Sequence, residues 1–119
     1  MQWKPDKDRP LCPQIYEHIC VKIVSGELQP NQKLMSVREM ALQTGVNPNT
    51  VQRSFEMLYR DGIIYSIPAS GWYVSDNTAS AKQTLKRITD NKVKMFFEEM
   101  SALGLDTEEI KNYIKEWGQ

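Results

Sequence analysis

The chain has 119 residues, 40% of them hydrophobic and 25% charged, which leaves room for one compact domain of ordinary globular composition plus an appendage. Lys plus Arg and Asp plus Glu both total 15, so the net formal charge is zero and any affinity for nucleic acid must come from local charge. The polar start lacks the apolar stretch of a signal peptide, and no run approaches the roughly 18 apolar residues of a membrane span, so a cytoplasmic protein without a membrane partner is expected.

A first helix is expected from about Pro13 to Ser25, because Leu11, Ile15, Ile19 and Ile23 recur every four residues and Gly26 supplies a stop. Cys12 and Cys20 lie in this stretch about 12 Å apart along a helix, beyond the roughly 7 Å reach of a disulfide. They read as two free thiols. His18 lies in the same stretch with no ligand pattern around it, so no metal and no cofactor is expected. Residues 28–33 form a turn-rich connection, with Lys33 read as a solvated charge.

Ser36-Val-Arg-Glu39 is a capping box that opens a short second helix, stopped by Gly45 after Thr44. Asn47 caps the next helix and Pro48 suits its first position, where the missing N–H would have no helical partner. This third helix runs to about Asp61. Two short helices joined by a turn containing glycine are the outline of a helix-turn-helix. Ile63–Ile67 and Trp72–Val74 then flank Pro68-Ala-Ser-Gly71 as a hairpin, the wing. Trp72 and Tyr73 alternate faces, so one is expected to pack on the helices and the other to stay partly exposed.

Residues 76–80 read as a polar hinge, and the chain divides into a winged helix-turn-helix domain at 1–76 and a helical dimerisation tail at 77–119. In the tail, Leu85, Ile88, Val93, Phe96, Met100 and Leu103 mark a long helix ended by Gly104. Asp106-Thr-Glu-Glu109 caps a last helix striped with Ile110, Tyr113, Ile114 and Trp117. So short a tail cannot bury these stripes alone, and self-association follows. The fold class is therefore mainly α with a small β-hairpin.

On the third helix, Val51, Phe55 and Leu58 share one side, and Asn49, Arg53, Glu56 and Arg60 the other. Amide and guanidinium groups match the paired donor and acceptor edges of adenine and guanine, which suits Asn49, Gln52 and Arg53 to base readout. Thr50 suits a phosphate, and Arg38 at the start of the second helix is placed to position the DNA backbone. Residues 33–60 carry Lys33, Arg38, Arg53 and Arg60 against Glu39 and Glu56. A single histidine and no nucleophile or phosphate-cradling motif exclude an enzyme from the expectations. The competing reading is a winged-helix module for protein association, suggested by the neutral charge and the apolar wing.

Ser25-Gly-Glu-Leu, Lys33-Leu-Met-Ser-Val-Arg-Glu39, Gly45-Val-Asn-Pro-Asn-Thr50 and Gly62-Ile-Ile together resemble the GntR family, with its YtrA-like subfamily the best fit. The resemblance implies a homodimer that binds double-stranded operator DNA, usually as a repressor, with the third helix in the major groove and the wing tip near the minor groove. It carries the family's DNA-contacting positions onto Ser36, Arg38, Asn47, Asn49, Thr50, Gln52, Arg53 and the wing's Gly71. Three departures stand out. Met35 replaces the proline usual before the capping serine, Cys12 stands where relatives often have tyrosine, and residues 62–74 contain no Lys or Arg. The sequence identifies no small-molecule effector, since the tail is too short to enclose one as larger family members do.

Overall fold

The structure, a computed structural model, describes residues 3–118. Its elements are α1 (Leu11–Val24), α2 (Val37–Thr44), α3 (Pro48–Arg60), β1 (Ile64–Ile67), β2 (Gly71–Val74), α4 (Ala79–Ala102) and α5 (Thr107–Trp117). The expected helix order and hairpin are present. The chain separates into two compact units, one ending at Leu85 and the next beginning at Lys86.

In α1 the four-residue repeat buries Ile15, Ile19 and Ile23, joined by Tyr16 and Cys20. Each large apolar side chain so buried contributes about 1.5–3 kcal/mol. The helix starts at Leu11, the first residue of the apolar repeat, rather than near Pro13, with Pro10 at the N-cap and no side-chain cap. Pro13 falls in the first turn, where its missing N–H costs nothing. Gln14 folds the preceding segment back onto the helix. Its oxygen accepts from the Asp6 amide at 2.8 Å, and its nitrogen lies 2.8, 3.2 and 2.9 Å from the carbonyls of Asp6, Arg9 and Pro10.

Val51, Phe55 and Leu58 of α3 are fully buried against α1, as their spacing requires. Ser54 is buried with them, its hydroxyl 3.0 Å from the Cys12 carbonyl and 3.2 Å from that of Thr50, which ties α3 to α1 without orphaning a polar group. Tyr16 joins three elements. Its hydroxyl donates to Asp61 at the end of α3 and also bonds Thr84 of α4. Burial and the Asp61 carboxylate push the phenol well above its ordinary value.

The hairpin pairs Ile64 with Val74 through Ile67 with Gly71. Trp72 meets Phe55 and Tyr59 edge-on at centroid distances of 6.1 and 5.7 Å, while Tyr73 stacks on Tyr65 at 5.6 Å. The alternation of faces therefore fastens the wing to α3 through Trp72. The connection before α2, read from sequence as turns alone, adds a further line of pairing. The amides of Asn31 and Leu34 donate to the carbonyls of Val74 and Trp72, each at 2.8 Å, and Val74 N–H returns a bond to Gln32 at 2.9 Å. Both edges of β2 are thus engaged.

The polar segment after the wing is shorter than a hinge over residues 76–80 suggests. The Asn77 side chain accepts from the Ala79 amide at 2.8 Å, and α4 begins there. Ala81 joins the core of the first unit and Thr84 is buried, so that unit extends past residue 76 into α4.

In the second unit, Asp106 and Glu109 form the expected capping box of α5, and Ile110 is fully buried. Phe96, Met100, Tyr113, Ile114 and Trp117 line an apolar cleft of about 510 Å³. Tyr113, Ile114 and Trp117 are exposed, Trp117 to 90%, so the stripe of α5 is covered at Ile110 and open beyond it. No helix among the described residues is long and apolar enough to cross a membrane.

His18 carries a pH dependence. Trp3 stacks on its ring at 3.9 Å, and burial first, then the Lys22 charge, hold its pKa below the ordinary value of 6.5, with Glu27 opposing. The unfolded chain therefore binds a proton more readily, so the contribution of His18 to stability is complete above about pH 6.5 and is lost as pH falls through the lower folded value. Thermal melts at about pH 7.5 and about pH 5 should show a larger loss for the native chain than for His18→Gln. Parallel losses in the two would assign the acid sensitivity elsewhere.

Candidate nucleic-acid interface

The turn between α2 and α3 is built from local bonds. Ser36 Oγ accepts from the Glu39 amide at 3.0 Å, and the Glu39 carboxylate accepts from the Ser36 amide at 3.3 Å, completing the capping box read from sequence. Gly45 ends α2 at φ +72°, a left-handed conformation that costs other residues energy. Its carbonyl accepts from Lys7 Nζ at 3.2 Å, so the N-terminal segment braces the turn. The Thr44 hydroxyl donates to Met40 and accepts from the Val46 amide, leaving the buried turn with its polar groups satisfied. Asn47 Oδ1 caps α3 by accepting from the Asn49 amide at 2.8 Å, and Pro48 holds the first position.

This geometry assigns the eight candidate residues different situations. Ser36 and Asn47 spend acceptor oxygens on caps, and the Asn47 amide group remains on the surface as a donor. Arg38, Asn49 and Arg53 are exposed, and neither arginine has an ion pair among the described residues. Thr50 is half-buried beside Ser54. Gln52 is half-buried and donates to Glu56 at 3.1 Å one turn on, which orients its amide along the outer face.

Two surface depressions share Arg38. One, of about 370 Å³, gathers Ser36, Arg38 and Gln52 with Lys33, Ser70 and the wing's Gly71. The other, of about 540 Å³, runs from Arg38 across Gly45 to Asn47 and Pro48. Asn49, Thr50 and Arg53 line neither and lie along the remaining surface of α3. The outer row Asn49, Arg53, Glu56 and Arg60 is exposed throughout, as the helical spacing requires. Sequence reasoning read Lys33 as a solvated charge and Ser70 as a turn residue, and the structure brings both into the first depression. Lys33 pairs with Tyr73 and so belongs to the wing's neighbourhood, a relation between distant segments that local spacing does not encode. It missed Lys7, whose link to Gly45 spans the same kind of distance.

A capped helix pair, with a hairpin fastened to its second helix, defines a winged helix-turn-helix. Residues 11–74 match the gntR family of bacterial regulatory proteins, and the chain belongs to that family and is a transcriptional regulator. It is 36% identical over 107 residues to the HTH-type transcriptional regulator YhcF of Bacillus subtilis, covering 90% of this chain and 88% of that one. It is 33% identical over 123 residues to the HTH-type transcriptional repressor YtrA of the same organism, covering 98% and 90%. Among solved structures, a GntR family transcriptional regulator from Listeria monocytogenes superposes with a TM-score of 0.80 at 34% identity, over 94% of this chain and 98% of that one. The AraR DNA-binding domain, solved in complex with operator ORE1, superposes with a TM-score of 0.54 at 27% identity, over 63% and 94%.

Proposed function

We propose that the protein is a homodimeric repressor that reads a two-fold operator in double-stranded DNA by placing α3 in the major groove. The observation that carries this reading is the exposed row of amide and guanidinium groups on α3, flanked by Ser36 and Arg38 at the start of α2. Donor-rich side chains on a capped helix match base edges, and groups at helix starts match phosphates. The operator complex of AraR supports the DNA target, and similarity to the Bacillus subtilis repressor YtrA supports the sign of regulation.

The apolar cleft of the second unit supports pairing of two copies through the C-terminal helices, which act as the dimerisation tail. A two-fold dimer reads half-sites about 34 Å apart, one turn of DNA. The test is a gel shift with the region upstream of the protein's own gene, combined with sedimentation of the free protein and of the complex. A two-to-one complex that blocks transcription supports the proposal. Absence of a complex at low salt, with that duplex and with genomic fragments, would sink it.

A further inference from the structure

We infer that Lys33, from outside the hairpin, supplies the cationic group that the wing itself lacks, and that its ammonium binds a DNA phosphate beside the wing tip. The inference rests on the DNA-binding reading above and adds a residue to it. Residues 62–74 contain no Lys or Arg, so nothing in the hairpin can neutralise a phosphate. Lys33 is the cation that the fold brings to it. Its backbone bridges Tyr73 in antiparallel register, and neighbouring Leu34 turns inward to 4% exposure. Alternation along an extended segment sends Lys33 to the opposite, outer face, which it shares with Tyr73 and Gly71.

There the stem of Lys33 runs over the wing's glycine. Its Cε lies 3.3 Å from the point where a Cβ on Gly71 would sit, a close approach that leaves little room for a side chain at that position. Gly71 also has φ +138°, so its lack of a side chain serves both its backbone and the path of Lys33. The apolar stem lies along the wing and the residue is exposed, in the depression that also holds Ser36, Arg38, Gln52 and Glu39, whose carboxylate is engaged by the Ser36 amide. No ion pair to Lys33 occurs among the described residues. A compact charge on a flexible stem suits a phosphate better than a base edge.

The test measures the affinity of the full chain by fluorescence anisotropy across a salt series. The probes are a duplex covering the region upstream of its own gene and a duplex of scrambled sequence. One phosphate contact corresponds to a slope of about 0.9 in log K against log salt. Lys33→Gln is expected to flatten the slope by about that amount on both duplexes, Lys33→Arg to restore it, and Lys111→Gln, the same charge change on α5, to leave it unaltered. Thermal melts of the variants check that each is folded. Binding by the native chain with an unchanged slope for Lys33→Gln would overturn the role of Lys33 alone, as would an equal flattening by Lys111→Gln. No binding by the native chain to either duplex would overturn the DNA-binding reading together with it.

Discussion

Phe55→Ala is expected to lower the stability of the first unit by about 3–5 kcal/mol, the usual cost of emptying a large aromatic site in a core. Phe55 is fully buried and among the largest such side chains, and its ring supports Trp72 edge-on. Truncation therefore removes the centre of the helix packing and one of the two rings that hold the wing. A domain of this size has total stability of only about 5–15 kcal/mol, so much of the margin disappears. Circular dichroism melts should show a fall of more than about 12 °C. Phe55→Leu, which keeps most of the volume, should fall by much less. A shift of only a degree or two for the alanine variant would mean that the site collapses without loss and that Phe55 is not the keystone its burial indicates.

The second large effect concerns recognition. Arg53 is exposed and has no ion pair among the described residues, so Arg53→Ala should leave the melting temperature nearly unchanged, as surface substitutions usually do. On the proposed reading its guanidinium faces a base edge, where a well-matched pair discriminates by about 1–3 kcal/mol. Affinity for operator DNA should then fall by about 5- to 150-fold, with a smaller loss on scrambled duplex. Competition titrations with the two duplexes give both numbers. Equal losses on the two would assign Arg53 to phosphate contact alone.

Most of the fold was legible because its signals are local. The four-residue repeat of α1, the Ser36–Glu39 and Asp106–Glu109 boxes, Gly45 and the Asn47-Pro48 start each act within one or two helical turns. The same holds for the outer row of α3. What escaped depends on contacts between remote segments. Tyr16 joins α3 to α4, and Lys33 and Lys7 reach the wing and the turn. The early start of α4 was hidden for a different reason. Its first turn is polar on the surface, and only Ala81 and Thr84 face inward, too few to show a period.

The pairing of residues 31–34 with β2 bears on how the wing behaves as a mechanical part. An isolated two-stranded hairpin is marginal in water and can fray or turn about its ends. Here β2 is bonded on one side to β1 and on the other to the bridging segment 31–34, which leads within two residues into the Ser36 cap of α2. The wing and the helix pair are therefore laced to one another from two directions, through Trp72 and through the backbone. Amides of Leu34 and Val74 should exchange with solvent as slowly as those of α1. The outer edge of β1 is four residues long, too short to recruit another chain readily.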